Sequence, residues 1–490
     1  MLFSLSSVLL CVVVPFDHLL VLQLLVYINR FNNRIKKMAE IKNTMDMCKG
    51  PLFKQVVLFS LPLFGTMLLQ LTFNATDIIV VGQFRGAECV GATGSTSSLV
   101  ILILNFFFGL SVGTNVLAAN FFGAKNFPRL RRLSYTSITV AFFGGLFLAV
   151  LGQFISEPLL RLMKTPPTIL PLAAKYMEIY FVGAPVVMIN VFGAALLRSV
   201  GDTKRPLYFL IYSGILNVIL NFIFVASFGM DVDGVAWATV ISQCLSAILI
   251  MRVLMEPRGI FLFKFKYLLV DWKLLKRMLA LGVPACIQGS CFTFSNVLMQ
   301  MSVNTLGAVA VSGNAIAQSL EGVVYTGSNA YHQTAVAFVA QNEGGGQRAR
   351  SILSIKYCCL LGFIVPEIVG ILFTVFGNEI SLIYDPTASQ AIVAEGMRRI
   401  LVTFPIYGLC GIMDAVSGGL RGIGESMSSM IIMLFTVCLI RILWVFFVFP
   451  AYPSITALML CYPLTWLLCT LVCLLYLIYK FKQNRPSLYT

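Results

Sequence analysis

Charge is scarce in this sequence. Asp, Glu, Lys and Arg make up 11% of its 490 residues, hydrophobic residues make up 58%, and mean hydropathy is +0.89. A soluble chain of this length needs far more charge to cover its surface, so a soluble enzyme or binding domain is excluded. Strict polar–apolar alternation is missing too, which argues against a membrane barrel. What recurs instead are continuous apolar runs of about 20 residues, the length that crosses a hydrocarbon core as a helix. Histidine is nearly absent: His18 and His332 lie far apart with no Cys/His cluster, so metal catalysis has no support. The 13 cysteines form no C-x-x-C pair, and many sit inside apolar runs (Cys358, Cys359, Cys410, Cys438, Cys469, Cys473). They read as small buried hydrophobes, not as metal ligands or a disulfide framework. "NEGGGQR" is glycine-rich but lacks the G-K-[ST] of a phosphate loop, so ATP is not an expected partner. The net charge of +15 falls mainly in loops on one side of the membrane and does not point to nucleic acid.

The expected fold is all-α and polytopic, with twelve spans near 53–82, 90–121, 133–156, 171–197, 206–228, 234–254, 273–304, 312–341, 352–377, 394–420, 427–449 and 455–479. Loops after spans 2 and 4 carry Lys125, Arg129, Arg131 and Arg132, then Arg198, Lys204 and Arg205. The link between spans 6 and 7 is the richest, from Arg252 to Arg277, whereas "GMDVDG", "NTLGAVAVSG" and "FPAYPSI" have no basic residue. The basic side is therefore expected to be cytoplasmic, with both termini there. The loop with Arg161, Lys164 and Lys175 is an exception to the trend. Residues 1–48 form a hydrophobic and basic leader without the features of a signal peptide. It is either an extra hydrophobic segment or an over-extended start with initiation at Met38 or Met45, the latter being preferred.

The chain repeats itself. "LPLFGTMLLQLTFNATDIIVVGQF" aligns with "VPACIQGSCFTFSNVLMQMSVNTL", placing Pro62 on Pro284 and Asn74 on Asn296 at an offset of 222. Gly86 falls on Gly307, Asn120 on Gln341 and Gly123 on Gly344 at an offset of 221, and "LLRSVGD" matches "GLRGIGE". Six spans per half make the repeat parallel, an arrangement used by secondary transporters whose halves rock around a central site. The expected organisation is a six-helix lobe over 49–251, a basic interfacial linker over 252–272, a second lobe over 273–480 and a tail over 481–490.

These landmarks resemble the multidrug and toxic compound extrusion (MATE) family. The resemblance rests on "P…N..D..VG" in span 1, "FFGAKN" and "VAQNEGGGQ" after spans 2 and 8, "LRSVGDTKRP" after span 4 and "LRGIGES" after span 10. It runs from about Gly50 to Lys482. The resemblance implies two six-helix lobes forming a V, not an enzyme, in a bacterial cytoplasmic membrane. It implies export of amphipathic, often cationic, small molecules in exchange for Na⁺ or H⁺, with no cofactor beyond that transported ion. Two complete lobes in one chain make a functional monomer plausible.

One carboxylate stands out: Asp77 is the only acidic residue between Lys49 and Arg85. An ionisable group within a span is costly and is a functional hypothesis by default. Counting residues from the span ends places Asp77, Asn217, Asn221 and Thr239 within roughly one to two helical turns of a common depth. The four also match, position by position, an acidic–amide–hydroxyl cluster in archaeal and bacterial members of the family. Position 221 departs from the proton-coupled pattern, which often has aspartate there, so Asp77 is the sole carboxylate. It could take up a proton in each cycle. It could join two amides and a hydroxyl as an all-oxygen site for a hard cation. Or it could simply lock spans 1, 5 and 6 together.

The second half has Glu321, Asp414 and Arg441 within spans. Depth pairs Glu321 with Arg441, in a structural or gating role or in binding, and leaves Asp414 without a partner. Phe292 stands where Na⁺-coupled members of another subgroup carry glutamate. Phe73, Met188, Asn190, Met299, Tyr325 and Met413 are candidates for lining a cavity for adaptable apolar binding, with Phe106 and Phe107 also considered. The rivals are a lipid-linked oligosaccharide flippase and a non-transporting receptor or channel. A flippase needs a basic cavity, and the spans are read as nearly free of Lys and Arg apart from Arg441.

Overall fold

A computed structural model describes residues 44–163, 165–257, 259–384 and 389–483, and only the backbone of residues 87, 90, 95, 97, 98, 101, 102, 383 and 384. The leader before Thr44 and the tail after Gln483 lie outside the described residues. Among the described residues the structure is helical, without strands. In the first half, α1 spans Leu52–Arg85, α2 Ala87–Gly123, α3 Phe127–Leu162, α4 Leu170–Val182, α5 Ala184–Ser199, α6 Lys204–Asn221 and α7 Val232–Leu254. In the second, α8 spans Trp272–Asn304, α9 Ala308–Gly344, α10 Arg348–Val375, α11 Gly377–Tyr384, α12 Gln390–Thr403, α13 Gly408–Gly422, α14 Ser426–Met433, α15 Ile440–Leu443, α16 Ile455–Met459 and α17 Cys461–Lys482.

Among the described residues, nine helical segments are long and apolar enough to cross a membrane, and eleven are if each bent pair counts as one. The bent pairs are α4 with α5 and α12 with α13, each bent by 52°, so spans 4 and 10 break at equivalent places in the repeat. The remaining span is α9, which is too polar to pass. It carries Asn314, Glu321, Asn329, His332 and Gln333. It can do so because its buried residues run from Ala310 to Asn342, with protein rather than lipid around them.

The halves meet along α2, which packs against α8 and α9. At the end of the bundle that carries the basic loops, the contact is reciprocal. A Cβ on Gly123 would overlap the Gln341 carbonyl oxygen, and a Cβ on Gly344 would overlap the Asn120 carbonyl oxygen. These four residues are the repeat pairs aligned at an offset of 221. Only glycine permits the two backbones to touch this closely.

Residues 44–50 brace the same end. The Met45 N–H donates to the Val200 carbonyl at 3.1 Å, and the Met47 N–H donates to Gln341 Oε1. Gln341 Nε2 in turn donates to the Ser199 carbonyl at 3.1 Å. Arg350 reaches the Met47 and Lys49 carbonyls at 2.7 and 3.0 Å. Met47 is fully buried in an apolar cluster with Val56, Phe59, Phe338 and Ala415. One short segment thus ties the α5–α6 loop of the first half to α9 and α10 of the second.

Between α7 and α8 the chain returns along α3. Arg131 Nε donates to the Ile260 carbonyl at 3.1 Å and the Tyr135 hydroxyl to the Leu262 carbonyl at 3.0 Å. Phe261 and Phe263 are buried, while Phe265, Leu269 and Trp272 stay exposed beside Lys264 and Lys266.

Candidate functional site

The first-half cluster forms where α1, α6 and α7 converge. Asn217 and Asn221 are four residues apart on α6, one turn apart on a single face. Asn221 Nδ2 donates to Asp77 Oδ1 at 2.6 Å and to Asn217 Oδ1 at 3.3 Å. Asn217 Nδ2 donates to Thr239 Oγ1 at 3.3 Å. All four residues singled out from the sequence therefore belong to one hydrogen-bonded chain. Asn217 and Asn221 are buried, and Asp77 is half-buried.

The walls are dry. Val80 and Val81, one turn along from Asp77, pack with Val225, Ala173, Met177 and Val235. α6 changes to a π-helix over Phe222–Ser227 directly after Asn221. Such widened turns are frequent at functional positions. One atom is left over: Asn221 Oδ1 is buried with no hydrogen-bond partner among the described residues. A buried acceptor without a donor is costly. It lies beside a carboxylate, an amide oxygen and a hydroxyl, so the set is chemically suited to a hard cation or to a proton on Asp77.

In the second half the pairing departs from expectation. Depth pairs Glu321 with Arg441, but Glu321 forms its ion pair with Arg399. Arg399 also donates to Asn314 Oδ1, and the Tyr407 hydroxyl donates to Glu321 Oε1 at 3.3 Å. The bend between α12 and α13 brings Arg399 and Tyr407 onto α9 together, and a residue count along straight spans does not register it. Arg441 has its own surroundings. Its guanidinium lies over the Tyr462 ring at 4.0 Å and the Phe292 ring at 6.0 Å, and Nη1 donates to Asn296 Oδ1 at 3.2 Å.

The Asp414 carboxylate keeps a buried Oδ2 with no hydrogen-bond partner among the described residues, and it is the main-chain carbonyl of Asp414 that makes a contact. His332 Nδ1 is 2.8 Å from the Asp414 carbonyl oxygen, so that nitrogen carries the proton. Nε2 then accepts from Arg421 Nη1 at 3.4 Å, and Arg421 Nη2 donates to Gln288 Oε1 at 2.7 Å. Arg399, Arg421 and Arg441 are all buried within helices. The reading of Arg441 as the lone basic group in the spans is therefore corrected. Glu367 in α10, not singled out from the sequence, accepts from the Gly408 N–H at 2.7 Å and caps the start of α13 at the bend.

Of the cavity candidates, Tyr325 is exposed and Phe73 half-buried, with its ring against Gly214. Met299 and Met413 belong to the second-half core. Met188 is buried with its sulfur end near Gly144, and Asn190 donates to the Gln243 carbonyl and Oε1 at 3.0 and 2.6 Å. These four are held in interhelical packing and offer no open wall.

Comparison with known proteins follows the internal repeat. The sequence model of the MatE family matches twice, over residues 62–223 and 284–447. The chain is 28% identical over 401 residues to the probable multidrug resistance protein YoeA of Bacillus subtilis, covering 80% of this chain and 86% of that one. It is 25% identical to a FAD transporter of Shewanella oneidensis, covering 80% and 87%. Among solved structures, an outward-facing multidrug resistance transporter of the MATE family superposes with a TM-score of 0.82 at 19% identity, over 89% of this chain and 98% of that one. A MOP superfamily transporter from Pyrococcus furiosus superposes with a TM-score of 0.83 at 20% identity, over 89% and 97%.

Proposed function

The chain belongs to the MatE family of multi-span membrane transporters, and from that premise we propose that it is a secondary-active exporter driven by cation binding at Asp77. The observation that carries the proposal is the buried Asn221 Oδ1, without a hydrogen-bond partner among the described residues, beside the Asp77 carboxylate. An H⁺ or a Na⁺ entering from outside the cell would be held by Asp77 with Asn217, Asn221 and Thr239. Either ion would neutralise the carboxylate and redirect the amides, repacking α1, α6 and α7. Work is done only because the two conformations bind the ion with different affinity.

We take the basic end of the bundle as the cytoplasmic face of a bacterial cell membrane, with both termini on that side. The reciprocal Gly123 and Gly344 contacts and the 44–50 brace favour a cytoplasmic end that is shut in this conformation. Substrates are amphipathic small molecules, cationic compounds among them, and one chain with two lobes is the working unit.

The test is reconstitution. Purified protein in liposomes should move rhodamine 6G against its gradient when a Na⁺ or a H⁺ gradient is imposed, with no ATP present. If neither gradient drives movement of a dye that the protein binds, it is not a cation-coupled exporter.

A further inference from the structure

The two halves differ at equivalent places. Span 5 of the first half sets Asn217 and Asn221 beside Asp77 and then turns into a π-helix. Span 11, its partner in the repeat, carries Arg441 in α15, with π-helices over Leu434–Leu439 and Trp444–Val448 on either side. Where Asp77 stands in span 1, the aligned residue of span 7 is the buried Met299. One half thus presents a carboxylate with amides, and the other an arginine with aromatic rings.

Arg441 is buried, yet no ion pair holds it among the described residues, whereas Arg399 has Glu321 and Arg205 has Asp202. Its Nε has no hydrogen-bond partner among the described residues. A guanidinium offers five donors in a planar fork. Here the ring of Tyr462 takes the face of the cation and Asn296 takes one N–H.

The neighbouring helix shows where a ligand would approach. α8 faces α2 through Gly282, Cys286, Gly289 and Thr293, and Asn105 Nδ2 reaches Thr293 Oγ1 at 3.4 Å. Asn296 lies one turn further along the same face and is exposed. It therefore stands on a part of that face that is not covered. Arg441 sits directly behind it.

We propose that Arg441, Asn296, Tyr462 and Phe292 form a subsite for the anionic group of an aromatic substrate, a carboxylate or phosphate joined to a planar ring. The oxyanion takes the free edge of the Arg441 fork and the Asn296 amide, while the ring packs beside Phe292. Planar bidentate recognition of this kind is where arginine excels, and a desolvated site strengthens it. The transporter then accepts acidic or zwitterionic aromatics as well as cations. This reading rests on the transport function proposed above, but its test does not require transport.

The experiment is isothermal titration of the purified full chain in nanodiscs with 2-naphthoate and with the neutral 2-naphthamide. Wild type should bind the acid at least ~10-fold more tightly than the amide, the scale of one charge-assisted interaction. Arg441→Gln should bring the ratio to about 1, and Arg441→Lys should keep part of it, because the charge remains without the fork. If wild type binds acid and amide equally, or Arg441→Gln keeps the preference, the arginine is a structural tie to Tyr462 and the proposal is overturned. The wild-type ratio stands even if a variant fails to fold. A chain that shows the preference but moves nothing under an ion gradient would refute the exporter reading and leave the subsite intact.

Discussion

Closure of the basic end of the bundle by bare backbone contact makes a sharp prediction about Gly123 and Gly344. A methyl at Gly123 falls on the Gln341 carbonyl oxygen, and one at Gly344 falls on the Asn120 carbonyl oxygen. Both obstacles are main chain, so no rotamer change relieves them. The helix ends must part by roughly 1.5 Å to restore ordinary contact. Overpacking of a tight contact costs about 1–3 kcal/mol. All of it falls on the closed state, so Gly123→Ala should shift the closed-to-open ratio by ~5- to ~150-fold toward open. Cys48 reports the shift. Its thiol is half-buried, with Sγ 3.4 Å from the Gln341 carbonyl oxygen. Burial, then the neighbouring Asp46, push its pKa from 9.0 up to about 11. Release from that site restores roughly 100-fold more thiolate, the reactive form. Everted vesicles treated with a membrane-impermeant maleimide, followed by mass mapping of the Cys48 peptide, give the rate. Gly123→Ala and Gly344→Ala should each label faster than wild type. Gly94→Ala, whose methyl meets open space, should label at the wild-type rate. Equal rates in all four proteins would refute a gate held by these contacts.

Further outcomes follow from the buried charges. Glu321→Gln should lower the melting temperature in detergent, since removing one member of a buried pair costs about 3–5 kcal/mol. Glu321→Leu combined with Arg399→Met should recover most of the loss. Recovery through Arg441→Met instead would restore the pairing that depth alone suggests. At the α5–α6 loop, burial raises Asp202 from 3.8 to about 6, against the pull of Arg205 at 2.7 Å. A carboxyl whose pKa is higher in the folded protein binds protons more tightly there, so its contribution to stability is full below about pH 4 and fades as pH rises through about 6. The melting temperature of wild type relative to Asp202→Asn should therefore fall between pH 4 and pH 6.5, and parallel profiles would contradict this. Asn221→Leu should weaken ion-stimulated efflux more than it weakens dye binding, measured side by side in proteoliposomes.

The first-half site was legible because its signals are local in sequence or repeat along it. A carboxylate in an apolar run, two amides one turn apart and a hydroxyl at matching depth point to one place, and the hydrogen bonds join them. The second half was less legible for two physical reasons. The 52° bend between α12 and α13 carries Arg399 and Tyr407 to Glu321, and no count along a straight span anticipates that. Arg399 also sits beside Arg398 near the start of the expected span 394–420, where a charge reads as a flanking residue. α9 shows the opposite case. Its polar residues weaken the hydropathy signal, yet its place at the centre of the bundle is what allows them. The brace over 44–50 carries no sequence signal of its own, since it is short, ordinary in composition and held mostly through backbone atoms.

The most direct test of the central claim separates coupling from translocation in Asp77→Asn. Wild type and variant are reconstituted together and assayed for two movements of rhodamine 6G: uphill accumulation under an imposed Na⁺ or H⁺ gradient, and equilibrium exchange with no gradient. Wild type should show both, and the effective gradient identifies the ion. Asp77→Asn should keep exchange and lose accumulation, because the ion no longer distinguishes the two conformations. Uphill accumulation at the wild-type rate in Asp77→Asn would contradict the account and leave Asp77 as a tie between α1 and α6.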